Sequence, residues 1–193
     1  TRQGGETVLS ADPTRPPPMS PDTPLSAVGE RHLLKHLRQR IPAGSGVLVG
    51  VGDDTAVLEM GAMVLATTDS MVEGVHFKRD WTPVRLLGRK ALSRNLSDIG
   101  AMAGQPRHAL VSLCLPDDIT VGWLDGFYDG LLERAAEAGV DVVGGNLSST
   151  PGPIVVDVTL LGEGARPLRR CGGLPGDHVV VTGGLGAAAT GLG

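Results

Sequence analysis

The chain is short of aromatic rings and of cysteine. Of its 193 residues only 3% are aromatic (two Trp, one Tyr and two Phe), and two are cysteines. So few rings offer little surface on which bases could stack. The 17 basic residues, set against 21 acidic ones for a formal charge of -4, form no basic block that would track a phosphate backbone. A nucleic-acid partner is therefore not expected. Cys114 and Cys171 lie far apart and match no metal or redox spacing, which fits a reduced, cytoplasmic setting better than a disulfide framework. Long apolar runs are missing too. A stretch such as 153-PIVVDVTLLG-162 is well below the roughly 20 residues that cross a bilayer, so no membrane span is expected.

What is present suffices for one packed domain and the beginning of another: 193 residues, 41% of them hydrophobic. The segment 11-ADPTRPPPMSPDTP-24 is rich in proline and polar residues and has no helical period. Residues 1–24 therefore read as a disordered arm, with Met19 a candidate natural start. Order is expected from Leu25. In 29-GERHLLKHLRQRIP-42, Leu33, Leu34, Leu37 and Ile41 recur at helical spacing and Pro42 ends the run. His32 and His36 stand four apart on that helix, but no third ligand candidate is near, so they read as a solvated flank.

Short strands are expected at 47–51, 56–59 and 63–68, separated by the 52-GDDT-55 and Gly61 turns. In 83-PVRLLGRKALSRNLSDIGAMAG-104, proline opens a long helix and Leu86, Leu87, Ala91, Leu92, Leu96 and Ile99 make its apolar stripe. A strand at 107–116, a helix at 121–139 and strands at 140–145, 154–163 and 178–184 follow, with a further helix opening near Ala187. The irregular alternation of strands and helices predicts an α+β, or mixed α/β, domain on a largely antiparallel sheet.

Polar chemistry gathers around the strand ends. Asp53 and Asp54 leave one strand, Asp69 another, Asp98 sits late on the long helix, and Asn146 follows Gly144 and Gly145. Taken singly, each aspartate is better explained as a turn cap. Together, and without nearby cations, they would repel one another, and Mg²⁺, which takes oxygen ligands and bridges carboxylates to phosphates, is the natural neutraliser. The glycine pairs at strand ends suit close approach to a phosphate, but the chain holds neither a GxxxxGK[ST] loop nor a dinucleotide fingerprint.

The series 52-GDD-54, 67-TTDSMVEGVHF-77, 89-RKALSRNLSDIGAMAG-104, 144-GGNLSS-149 and 169-RRCGGLPGDHVVVTGGLG-186 resembles thiamine-monophosphate kinase, a family within the aminoimidazole ribonucleotide synthetase-like superfamily, over residues 25–193. The resemblance implies a nucleotide- and metal-binding domain over 25–164, whose sheet pairs across a homodimer, and the truncated start of an α/β second domain over 165–193. It implies that Asp54, Thr67, Thr68, Asp69 and Asp98 hold Mg²⁺, with Asp53 a weaker candidate, and that Asp69 and Asp98 are the catalytic pair. Gly145 and Asn146 would lie against ATP, Arg170 would bind its phosphates, and His76 would contact thiamine monophosphate. Where Asn146 stands the commoner pattern has aspartate; asparagine keeps an oxygen ligand for the metal and loses a charge. Glu73 reads as structural and Gly74 as a turn. Two other classes stay open: an ATP-dependent relative with another acceptor, and a catalytically silent dimerisation module.

Overall fold

The computed structural model describes residues 19–42, 44, 46–50, 57–60, 63–169, 171–181 and 183–191. In chain order its elements are α1 (Leu25–Val28), α2 (Glu30–Arg40), β1 (Val47–Val49), β2 (Val57–Leu58), β3 (Val64–Val72), α3 (Val84–Ala101), β4 (Gln105–Leu115), α4 (Val121–Ala138), β5 (Asp141–Ser149), β6 (Val155–Glu163) and α5 (Ala187–Thr190). β1 and β2 pair in a small separate sheet. The main sheet has the order β3-β6-β4-β5, with β6 antiparallel to both β3 and β4 and β5 parallel to β4. The expected mixed, largely antiparallel architecture is what forms.

The strand period of two explains which face is dry. Along β6, Val156, Val158 and Leu160 are buried while Val155, Asp157 and Thr159 are half-buried, and along β4 Val111 and Leu113 are buried while Ser112 and Cys114 are not. The buried side chains join Leu87, Leu92, Leu124, Phe127 and Leu131 of α3 and α4 in one core. Each such side chain contributes about 1.5–3 kcal/mol relative to exposure. The other face of the sheet keeps its hydroxyls and carboxylates.

The two long helices approach closely because glycines line their contact. A Cβ added at Gly88 would stand 2.0 Å from Phe127 O, and one at Gly130 only 1.8 Å from Arg85 O. On the rim of this contact Arg85 pairs with Glu133, and Arg89 pairs with Glu133 and Glu137. Hydrogen bonding from Arg89, with Arg134 adding to it, holds the Glu137 carboxyl below its ordinary range.

Several elements differ from expectation for identifiable reasons. β3 runs on through Asp69 and Ser70 to Val72, because each of its nine residues finds a partner on β6; cross-strand pairing overrides the weak strand propensity of those polar residues. β5 likewise continues to Ser149, so Asn146 lies within a strand. Leu86 and Leu34 are exposed, 54% and 41%, since the faces actually buried run through Leu87, Ala91, Asn95 and Ile99 on α3 and Leu33 and Leu37 on α2. His36 is no solvated flank. Its Nε2 lies 2.7 Å from Asp125 Oδ1, and Arg40 beside it pairs with Asp129, so α2 is tied to α4. The strand expected over 178–184 is not formed at 178–181, where Val179 is 97% exposed and no described strand lies alongside to accept its ladder. Much of the arm expected over 1–24 lies outside the described residues, but Val121 N–H donates to Thr23 O and Gly122 N–H to Pro21 O, which fasten its last turn to the start of α4.

Candidate functional site

α3 runs alongside β3 with matching spacing. Residues two apart on a strand share a face about 6.8 Å apart, and residues four apart on a helix share a face about 6 Å apart. Thr67 and Asp69 therefore meet Asp98 and Arg94 as two successive rungs, the strand and the helix running in opposite senses. Thr67 Oγ1 donates to Asp98 Oδ2 at 2.7 Å. Arg94 Nε and Nη2 donate to Asp69 Oδ2 and Oδ1 at 3.3 and 3.2 Å. About a third of each side chain of that ion pair is exposed. The expectation that these carboxylates lack a nearby cation is thus corrected: Asp69 has one, supplied from the helix.

Thr68, between Thr67 and Asp69, points to the opposite face. Its Oγ1 donates to Asp157 Oδ1 at 3.0 Å and lies 3.1 Å from Thr159 Oγ1, while the Ser70 hydroxyl donates to the other oxygen of Asp157. Through the strand register, Ser70, Asp157, Ser112 and Asn146 form a polar row across this face. Asn146 is exposed and its Nδ2 donates to Ser148 Oγ at 3.0 Å. Three strand spacings, about 14 Å, separate β5 from β3. Within one chain, then, Asn146 and Asp69 stand at opposite edges of the sheet. Gly145 lets β5 press against β4, for a Cβ there would lie 1.8 Å from Val111 O.

His76 follows β3 in a turn built around Gly74 at φ 83°. Glu73 fixes this turn, as expected of a structural residue: it accepts from Ile154 N–H and from Arg79 Nε, and Arg79 also pairs with Asp118. Hydrogen bonds to Asp118 and then to Glu73 raise the Arg79 pKa further. Val72 N–H donates to His76 Nδ1 at 3.0 Å, so Nδ1 is the acceptor and Nε2 the other polar atom of an exposed ring. Lys90 Nζ donates to the His76 carbonyl at 2.8 Å. Asp53, Asp54 and Arg170 lie outside the described residues.

The structure thus joins Thr67 to Asp98 and, one rung along, Asp69 to Arg94, sets Thr68 on the reverse face, and leaves Asn146 at the opposite edge of the sheet. Among the described residues no three His, Cys, Asp or Glu side chains gather. The β3–α3 rungs nonetheless suit a hard divalent cation in donor chemistry, since they offer only hydroxyl and carboxylate oxygens, and Asp69 already holds a positive group. A cleft of about 390 Å³ lies elsewhere, between α1–α2 and the ends of β4 and β5, lined by Leu25, Leu33, Leu115, Asp117, Leu147 and Ser149 among others. Sequence reasoning missed Arg94 and Asp157. Both had a signal: Arg94 stands four residues before Asp98 on a helix, and Asp157 stands two before Thr159 on a strand.

The description "AIR synthase related protein, N-terminal domain" matches residues 52–163. Among curated proteins, the thiamine-monophosphate kinase of Rhodopirellula baltica is 37% identical over 84% of this chain and 54% of its own length. That of Aquifex aeolicus is 43% identical over 74% of this chain and 46% of its own length. Among solved structures, the thiamine-monophosphate kinase of Stenotrophomonas maltophilia is 32% identical with a TM-score of 0.62, over 72% of this chain and 44% of the other. AaThiL complexed with AMPPCP and TMP is 36% identical with a TM-score of 0.57, over 78% of this chain and 47% of the other. The chain spans about half the length of the curated relatives it matches.

Proposed function

Since the chain belongs to the AIR synthase related protein family through its N-terminal domain, we propose that the protein carrying it is a Mg²⁺-dependent kinase. It moves the γ-phosphoryl group of ATP onto the phosphate of thiamine monophosphate, giving thiamine diphosphate and ADP. The observation that carries this reading is the 36% identity, over 78% of the chain, to a protein solved with AMPPCP and TMP. Residues 25–164 are the nucleotide- and metal-binding domain, and residues 165–193 begin a second unit.

Thr67, Asp69 and Asp98 hold Mg²⁺ from the β3–α3 rungs together with Asp54, while Thr68 on the reverse face and Asn146 at the opposite edge of the sheet hold Mg²⁺ separately from them. Bound Mg²⁺ supplies positive charge that offsets the repulsion between donor and acceptor phosphates. Gly145, Asn146 and Arg170 bind the nucleotide, and exposed His76, its ring oriented by Val72 N–H, binds the thiamine phosphate. A phosphate monoester is already largely ionised near neutral pH, so its attacking oxygen needs no general base. The protein's work is to hold donor and acceptor in line.

The protein acts as a cytoplasmic homodimer assembled through its sheets. β3 and β5 each have one edge without a partner among the described residues, and exposed Met63 and Val64 stand at the start of β3. The test is formation of thiamine diphosphate by the protein carrying this chain, given thiamine monophosphate, ATP and Mg²⁺. Product is expected. ADP release with another acceptor and none with this one would overturn the assignment in favour of a relative with different specificity, and no Mg²⁺-dependent binding of AMPPCP would favour a silent dimerisation module.

A further inference from the structure

The Arg94 guanidinium occupies the same two oxygens of Asp69 that a divalent cation would need, at 3.2 and 3.3 Å. About a third of the Arg94 side chain is exposed, and among the described residues its side-chain hydrogen bonds both go to Asp69. We propose that Arg94 is a built-in competitor for the metal position, an internal cation that neutralises Asp69 when no divalent ion is bound and must be displaced when one binds. This rests on the reading of Asp69 and Asp98 as cation ligands.

Physical chemistry favours the exchange in one direction only. A carboxylate gains from any positive group nearby, and Arg94 provides one to Asp69 on a flexible stem. A divalent ion brings twice the charge and takes several oxygen ligands, and the Thr67–Asp98 pair stands one rung from Asp69, whereas among the described residues the Arg94 guanidinium bonds to Asp69. The half-exposed ion pair is weak enough to open. Its cost is a lowered apparent affinity for the metal, so the site would load preferentially when the ion arrives with a polyphosphate that adds ligands of its own.

The test is calorimetric titration of the chain with MgCl₂ and with MnCl₂, without nucleotide, for the unaltered sequence, Arg94→Leu, Arg94→Lys and Asp98→Asn, each checked by circular dichroism for a native fold. Arg94→Leu is expected to bind the cation about fivefold more tightly, the scale of one partly exposed ion pair. Arg94→Lys, which keeps the charge and loses the fork, is expected to fall between. Equal or weaker binding by Arg94→Leu, with binding still lost in Asp98→Asn, would overturn the competitor role and leave the cation site standing. Binding by Asp98→Asn equal to that of the unaltered chain, or no binding by any form including Arg94→Leu, would remove the cation site and the competitor role with it.

Discussion

Asp69 on β3 is held through both carboxylate oxygens by Arg94 of α3, one rung along from the hydrogen bond between Thr67 and Asp98. Four side chains from two elements therefore form a unit whose positions follow from the periods of a strand and a helix. The unit sits on the edge strand of the sheet, half-open to solvent, where a charged ligand can reach it.

That placement separates function from stability. Under the proposed function, Asp98→Ala in the protein carrying this chain is expected to reduce turnover by about a hundredfold or more, the loss seen when one preorganised polar group is removed from a reacting centre. Because Asp98 is exposed, its removal should change unfolding free energy by no more than about 1 kcal/mol. Steady-state rates and denaturant unfolding, measured on the same preparation, check both halves. Near-normal turnover would remove Asp98 from the reaction.

The α3–α4 contact is the opposite case. Gly130→Ala puts a methyl 1.8 Å from Arg85 O, a backbone atom that cannot swing aside. The helices must separate, at a cost of about 2–3 kcal/mol from overpacking. Chemical denaturation should show the midpoint falling with an unchanged slope. A neutral result would mean that the two helices are not in this close register.

Helix α4 depends on its first turn. Thr120 Oγ1 accepts from Trp123 N–H at 3.2 Å, while the neighbouring backbone is bound to residues 21–25. Thr120→Ala should cost about 1 kcal/mol, and Thr120→Ser should recover most of it because the accepting oxygen is kept. If both variants are equally destabilised, the loss lies in the threonine methyl, and the cap contributes nothing.

These contrasts show what could be read in advance. Where one periodicity decides the outcome it was legible: Leu33 with Leu37, and the alternation of Val156, Val158 and Leu160, lie on the buried faces their spacing implies. Where partners come from distant sequence it was not. Thr67, Thr68 and Asp69 are adjacent in sequence, and only pairing with β6 sends Thr68 to Asp157 while its neighbours turn to α3. Likewise Leu86 satisfies the helical stripe as a pattern but is exposed, because α4 and the sheet choose the face through Leu87. Ion pairs such as Arg94 with Asp69 depend on the distance between two elements, which no local pattern contains.

The single tyrosine gives a direct reading of core integrity at high pH. Tyr128 lies in the core between α4 and its neighbours, at 5% exposure, and burial raises the pKa of its phenol. Above about pH 10, the ordinary tyrosine value, the unfolded chain releases this proton and the native chain retains it. The native state then binds more protons, so its stability is full below about pH 10 and falls as pH rises beyond it. Phenolate absorbance should therefore stay absent from the folded protein at pH 10 to 11, where the guanidinium-unfolded chain already titrates, and should appear together with loss of helical circular dichroism. Phenolate signal near pH 10 with the helices intact would place Tyr128 in contact with water and contradict the packing of α4.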